Sequence, residues 1–165
     1  MTTDSAATVT PSELELLPSV YYAESVVRCP LDEAWHAMLD YQAWNPNFTN
    51  AQVTLVDGVP GQEGELNLIS IHGGDGAVLA EFYSRTVKLV LLRHVVWYVY
   101  PKQGESFRNF VDFWLEQTES GVRFRIFYYA QNWLSCQQLS QERASSEAAL
   151  NSLAAAFKQY CESPH

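Results

Sequence analysis

Apolar and polar residues alternate along the first patterned stretch of the chain. Within residues 20–29, Glu24 and Arg28 share one side of an extended backbone, and Val27 lies on the other side. A period of two is typical of a strand that buries one face. Pro30 cannot continue such a strand without losing a backbone donor. The sequence therefore predicts a first strand over residues 20–29.

The next stretch changes to helical spacing. Leu31, Trp35 and Met38 recur three or four residues apart, which places them on one face of an α-helix. Pro46 disrupts any helix that runs through it, so residues 41–45 form at most a short second helix. Two short helices are therefore predicted after the first strand.

From residue 52 the pattern is that of successive strands separated by turn residues. Glycine-rich turns such as residues 73–76 supply the positive φ angles that tight reversals need. The predicted strands are residues 53–56, 65–72, 77–90, 95–100, 107–118 and 122–131. Residues 91–94 are a turn that lacks both glycine and proline, so the strand register around them stays open.

A long helix is predicted over residues 140–161, at the end of the pattern. Its inward stripe runs through Leu139, Arg143, Ser146, Leu150, Leu153, Phe157 and Tyr160. The C-terminal half of that stripe is apolar, which indicates packing across a sheet. The N-terminal half is polar, which indicates that it faces something other than a dry core.

These elements predict an α+β fold of the helix-grip kind. A curved antiparallel sheet of six to seven strands wraps around the long C-terminal helix, with two short helices after strand one. The 165 residues fit one domain, here residues 19–162, and residues 1–18 are expected to form a flexible leader. Aromatic residues make up 13% of the chain, and aromatic rings suit both cores and the walls of apolar pockets.

The net charge of -9 changes the expected partners. An acidic surface repels phosphate backbones, so nucleic acid is not an expected partner. No stretch is apolar enough for stable membrane insertion. Cys29, Cys136 and Cys161 are odd in number and show no metal-ligand spacing. We therefore expect free thiols, no metal, no cofactor and a cytoplasmic location; the oligomeric state stays open.

The order of elements and several short motifs resemble the START-like (SRPBCC) superfamily, in its polyketide cyclase/dehydrase-like and lipid-transport-like branch. The motifs lie at residues 29–35 (CPLDEAW), 40–46 (DYQAWNP), 63–65 (EGE), 93–97 (RHVVW) and 120–122 (SGV). The resemblance covers residues 20–161. It implies a ligand cavity between the sheet and the long helix, and members of the superfamily include both carriers and enzymes.

Candidate cavity residues follow from the stripe and from strand alternation. Arg143 either snorkels to a surface acid or binds an anionic group at the cavity mouth. Alternation turns Asn109 inward, and Asp112 and Glu81 outward. The full set of candidates is Arg143, Ser146, Asn109, Phe82, Tyr98, Phe113, Tyr128, Leu150 and, as a lid, Trp133. His94 lies at a turn or in a strand, and we assign it no role in the site.

Three functions remain open on this pattern. The first is binding of a hydrophobic small molecule, such as a lipid, an isoprenoid or a polyketide-like aromatic. The second is a cyclase, aromatase or dehydratase reaction in the same cavity, without a metal or a covalent nucleophile. The third is a non-catalytic interaction or stress-related module. No nucleophile motif, phosphate loop or zinc motif is present in the sequence, which favours binding.

Overall fold

The structure, a computed structural model, describes residues 19–104, 108–130 and 136–164; of residue 19 and residues 136–142 it describes the backbone alone. The proposed leader, residues 1–18, and Trp133 lie outside these residues. The described residues form seven strands: β1 (Ser19–Val27), β2 (Ala51–Asp57), β3 (Leu66–His72), β4 (Val78–Val90), β5 (His94–Pro101), β6 (Asn109–Thr118) and β7 (Gly121–Ala130). The helices are α1 (Leu31–Leu39), α2 (Tyr41–Trp44), a 3-10 turn (Pro46–Phe48) and α3 (Cys136–Glu162).

The strands form one antiparallel sheet in the order β1-β7-β6-β5-β4-β3-β2. Every neighbouring pair is antiparallel, and β1 closes onto β7 with Tyr21 opposite Tyr128. Successive side chains along a strand point to opposite faces. Val95 and Phe113 are cross-strand partners and both are buried, which identifies the concave face that α3 covers. The helix-grip architecture expected from the sequence is confirmed.

Helix α3 packs on the concave face through the residues that its apolar half predicts. Leu150, Leu153 and Phe157 are at most 8% exposed. Fully burying such a side chain contributes about 1.5–3 kcal/mol. A polar contact adds to this packing, since the Ser25 hydroxyl donates to the Ala154 carbonyl at 3.1 Å. The helix begins four residues earlier than the sequence predicts, at Cys136.

An aromatic cluster fills the middle of the space between the sheet and the helices. Its members are Trp44, Trp97, Phe113, Phe124 and Phe157, with ring centroids of contacting pairs 4.0–6.2 Å apart. Most contacts are edge-on or tilted, the geometries that aromatic quadrupoles favour. The Trp44 indole N–H is also satisfied, because it donates to the Ala37 carbonyl at 2.7 Å.

The turn that the sequence leaves open is a tight reversal between β4 and β5. Leu92 takes a left-handed backbone conformation with φ of 58°, which is uncommon for a residue with a side chain. The reversal brings Val90 opposite His94. His94 is therefore the first residue of β5, and the register of the whole strand follows from this position.

Candidate functional site

The first candidate site lies where β1 and β7 face the N-terminal half of α3. Tyr21 is 1% exposed, and its ring centroid lies 6.2 Å from that of Tyr128. The guanidinium carbon of Arg143 lies 5.4 Å from the centroid of the Tyr21 ring, close enough for a cation–π contact. We call Tyr21, Tyr128 and Arg143 together the Tyr21 site.

The hydroxyl group of Tyr21 is buried and has no hydrogen-bond partner among the described residues. Leaving a buried donor unsatisfied costs about 1–3 kcal/mol. Buried polar groups in folded proteins are nearly always paired, so an orphan of this kind calls for an explanation. A polar group of a bound ligand, or a water molecule, would satisfy the Tyr21 hydroxyl.

Arg143 forms the pair with a surface acid that is one of the two alternatives left open by the sequence. Its side chain is 55% exposed, and its Nη1 lies 3.6 Å from Glu147 Oε1 one turn along the helix. An exposed pair of this kind contributes little to stability. The same guanidinium also covers the ring of Tyr21. Arg143 therefore lies at the rim of the Tyr21 site, between the Tyr21 ring and Glu147.

The other candidates on the concave face have different surroundings. Asn109 is 7% exposed and pairs across strands with Ala130, two residues beyond Tyr128. Phe82 is half-buried, with its ring centroid 6.5 Å from that of Phe48. Ser146 is half-buried on α3. Phe113 and Leu150 belong to the packed core rather than to an open wall.

The placement of Tyr98 differs from the expectation. Because Val95 and Trp97 point to the concave face, Tyr98 points to the convex face, away from α3. There its ring stacks on Phe110, its cross-strand partner, with centroids 4.8 Å apart. The register of β5 with β6 decides which side chains of β5 point to which face, and the sequence alone does not show that register.

A second candidate site is a cavity of about 150 Å³ between β3, β4, β5 and the α1–α2 junction. Its apolar walls are Leu39, Leu89, Val95 and Trp97, and its polar walls are Tyr41, Glu65, Asn67 and Thr86. Gly61, which is exposed, completes the lining at the β2–β3 loop. We call this cavity the Glu65 pocket; none of its lining residues was among the candidates from the sequence.

Glu65 is held in place by two hydrogen bonds. Its Oε2 accepts from the backbone N–H of Gly61 at 2.6 Å, and its Oε1 accepts from Asn67 Nδ2 at 2.8 Å. Burial, with the nearby Glu65 charge adding to it, raises the pKa of Tyr41 to about 12. The Tyr41 phenol therefore keeps its proton at neutral pH, and the pocket combines one carboxylate with neutral hydroxyl and amide groups.

A buried His–Asp pair lies on the opposite side of the sheet. Asp112 points to the convex face, as alternation predicts, but it is only 9% exposed because His94 Nε2 donates to its carboxylate. The His94 ring stacks on Trp114 with centroids 3.6 Å apart, and Arg93 lies 5.8 Å from the Trp114 ring centroid. This pair does not face the concave space.

The described thiols are Cys29 and Cys161, and both are free. They contact each other where the end of β1 meets the end of α3, and burial raises the pKa of both, that of Cys161 to about 12. Among the described residues, no three His, Cys, Asp or Glu side chains converge as metal ligands would. None of the described helices is both long and apolar enough to span a bilayer.

Comparison with known proteins defines the fold. No family model and no curated protein matches the sequence. SA2116 of Staphylococcus aureus, a protein of unknown function, matches with a TM-score of 0.67 at 10% identity, over 88% of this chain and 94% of its own. Ara h 8.0201 matches with a TM-score of 0.64 at 12% identity, over 87% of this chain and 97% of its own. The chain has the START-like fold.

A further START-like match is StfQ, a di-domain ARO/CYC protein from the steffimycin biosynthetic pathway. It matches with a TM-score of 0.62 at 15% identity over 92% of this chain. The chain spans 53% of StfQ, about half of that two-domain protein. At these identities the likeness concerns the fold, and the function has to be argued from the residues of this chain.

The sequence reasoning missed Tyr21 and all the residues that line the Glu65 pocket; Tyr21 left a signal in the sequence, and Glu65 did not. Tyr21 lies two residues before Ala23, so the alternation of the first strand already turns it inward. Glu65 is the first residue of the predicted strand 65–72, but β3 begins at Leu66, so Glu65 lies in the loop before the strand and alternation does not orient it. Its role depends on the fold of the β2–β3 loop, where the Gly61 backbone turns toward the carboxylate.

Proposed function

We propose that this chain binds a hydrophobic small molecule between the sheet and α3, with a polar group of the ligand at the Tyr21 site. The observation that carries the proposal is the buried Tyr21 hydroxyl, which lacks a partner among the described residues. A ligand oxygen that accepts from this hydroxyl removes the cost of leaving it unpaired. The ligand class is a lipid, an isoprenoid or a polyketide-like aromatic.

The surroundings of the Tyr21 hydroxyl support this ligand chemistry. The half-buried ring of Tyr128 beside Tyr21 offers aromatic area to an apolar body, and Arg143 at the rim offers positive charge. Arginine binds carboxylates and related anions through charge-assisted hydrogen bonds. An apolar molecule with an acidic or enolic oxygen therefore complements the site better than a neutral hydrocarbon does.

The cyclase, aromatase or dehydratase alternative draws on the START-like fold shared with the ARO/CYC protein StfQ. Such a reaction needs an acid–base pair beside the ligand. Of the described residues, His94 and Asp112 form a hydrogen-bonded pair of this type, and it faces the convex side of the sheet. The arrangement around Tyr21 therefore favours binding over catalysis.

Matched ligands test the proposal by titration calorimetry. Dodecanoate and dodecanol share one chain and differ in the head group, so their difference reports the site's preference for an anion. We expect dodecanoate to bind more tightly, and Arg143→Ala to weaken it about 10- to 100-fold while changing dodecanol about 2-fold or less. Arg123→Ala is the control, since Arg123 lies on the convex face near Glu116.

Three outcomes contradict the proposal. The first is the absence of binding by either compound, together with no small molecule retained in native mass spectrometry of protein from its own host. The second is an equal loss of affinity for both compounds in Arg143→Ala, which removes Arg143 from the site. The third is a Tyr21→Phe variant that binds both compounds as tightly as the parent protein, which shows that the Tyr21 hydroxyl does not contact the ligand.

A further inference from the structure

We propose that the Glu65 pocket is a second binding site, and that it takes a small apolar amine in its ammonium form. The proposal rests on the pocket's own residues and is independent of the function proposed for the Tyr21 site. The two sites differ in position, in charge and in the size of molecule that they admit.

The volume of the pocket limits the ligand to a small ring or a short branched chain. A closed apolar cavity of about 150 Å³ is known to hold one benzene molecule, and the Glu65 pocket has that volume. Leu39, Leu89 and Val95 provide apolar walls for such a group. The pocket does not admit a long-chain lipid.

The polar walls supply mainly hydrogen-bond acceptors. Glu65 contributes a carboxylate whose two oxygens are already oriented by Gly61 and Asn67. Asn67 donates one of its two amide N–H groups to Glu65, and its carbonyl oxygen is a further acceptor of the wall. A ligand with several N–H donors on one atom complements this arrangement, and an ammonium group has three.

Thr86 forms part of the pocket wall and is joined to the Glu65 segment by backbone hydrogen bonds. Its side chain is only 4% exposed and lines the pocket. Its backbone is fully engaged, since its N–H donates to Glu65 and its carbonyl accepts from Gly64. The Thr86 hydroxyl is thus a neutral group of the pocket wall that can accept a hydrogen bond from a donor bound in the pocket.

The charge around the pocket selects a cation. None of the described residues that line it is Lys, Arg or His, so nothing in its wall neutralises Glu65. The chain as a whole carries a net charge of -9, which adds to the attraction for cations. Trp97 and Tyr41, in edge-on contact with centroids 5.6 Å apart, supply aromatic area on which an ammonium group is stabilised.

Three probes of one shape test this inference: benzylamine, benzyl alcohol and benzoate, titrated into the full chain by calorimetry. We expect benzylamine to bind at least about 10-fold more tightly than benzyl alcohol, and benzoate not to bind the pocket. Glu65→Gln keeps the shape of the side chain and removes its charge, and it should weaken benzylamine about 10-fold or more. Benzyl alcohol should change about 2-fold or less.

Glu119→Gln is the matched control, because it removes the same charge from an exposed turn between β6 and β7. It should leave benzylamine binding unchanged. A heteronuclear NMR titration of the unsubstituted protein adds a readout that needs no variant. Benzylamine should shift the amide signals of Gly61 and Thr86, which line the pocket, and leave that of Ala23 in β1 in place.

Equal binding of benzylamine and benzoate overturns the inference, as does a set of amide shifts that excludes Gly61 and Thr86. An unchanged benzylamine affinity in Glu65→Gln overturns it as well. The result is separable from the proposed function: dodecanoate binding and its dependence on Arg143 test the Tyr21 site alone. A competition titration shows whether dodecanoate and benzylamine occupy the protein together, as two sites require.

Discussion

The Tyr21 site and the Glu65 pocket lie on the same concave face but satisfy their polar groups in opposite ways. At the Tyr21 site a buried hydroxyl has no partner among the described residues, and the nearby charge is the cation of Arg143. In the Glu65 pocket the carboxylate is already held by two hydrogen bonds, and the charge is negative. In strand order, the aromatic cluster on β5, β6 and β7 lies between them.

This difference shows how one curved sheet can carry two chemistries. A site with a preformed hydrogen-bond network binds with little reorganisation, whereas a site with an orphan donor gains stability when a ligand pairs with it. The packed rings between the sites keep the two charges in separate surroundings. The following predictions test that separation, from the largest expected effect to the smallest.

Leu153→Asp should produce the largest effect, because it places a charge without a partner where α3 packs on the sheet. Leu153 is 7% exposed, and burying an unpaired charge is among the changes that cost more than about 4 kcal/mol. Chemical denaturation should show a large loss of unfolding free energy. Ser152→Asp, at the exposed neighbouring position, is the control. A variant as stable as the parent protein would show that α3 does not carry Arg143 to the Tyr21 site as described.

Phe113→Ala should break the separation between the two sites. Phe113 is 3% exposed and contacts Trp44, Trp97 and Phe124, so its removal leaves a cavity in the aromatic cluster. Such a change costs about 3–5 kcal/mol. Benzylamine affinity should also fall, since Trp97 loses the ring that supports it. Phe110→Ala, on the exposed convex face, should cost far less. Comparable losses in the two variants would contradict the central position of the cluster.

Tyr21→Phe should stabilise the ligand-free protein. The substitution removes a buried hydroxyl that has no partner among the described residues and keeps the ring that packs on Tyr128. The expected gain is about 1 kcal/mol in the free energy of unfolding. Tyr41→Phe is the comparison, because its hydroxyl borders the Glu65 pocket, and it should change stability by about 0.5 kcal/mol or less at neutral pH. A destabilised Tyr21→Phe variant would show that the hydroxyl is paired in the free protein.

The effect that is smallest at neutral pH is a pH dependence that belongs to the Glu65 pocket. Burial, together with the Glu65 charge, raises the pKa of Tyr41 from its ordinary 10.0 to about 12. The unfolded chain therefore loses this proton first, so the contribution of Tyr41 to stability is complete below pH 10 and is lost from pH 10 to 12. The free energy of unfolding should fall more steeply over that interval in the parent protein than in Tyr41→Phe. Parallel curves would place Tyr41 outside the pocket.

Most of the fold could be predicted from local patterns. The alternation in β1 and the spacing of Leu150, Leu153 and Phe157 in α3 depend only on which residues are apolar, and apolar burial is the dominant force in folding. The turn at Leu92 could not be predicted in the same way. Leu92 takes its left-handed conformation without a glycine where β4 pairs with β5, and the register of β5 with its neighbours places Tyr98 on the face away from α3.

The candidate sites also combine features that the sequence predicts with features that only the tertiary structure sets. The sequence by itself determined that Arg143 and Ser146 interrupt an apolar stripe and that Asn109 turns inward, because period and polarity are local properties. Only the tertiary structure decided that Arg143 covers the ring of Tyr21. The tertiary structure also brings Glu65 and Thr86 together in one pocket. The physical reason is that these groups come from separate strands and loops, so their distances and charges are set by the packing of the sheet and not by their spacing along the chain.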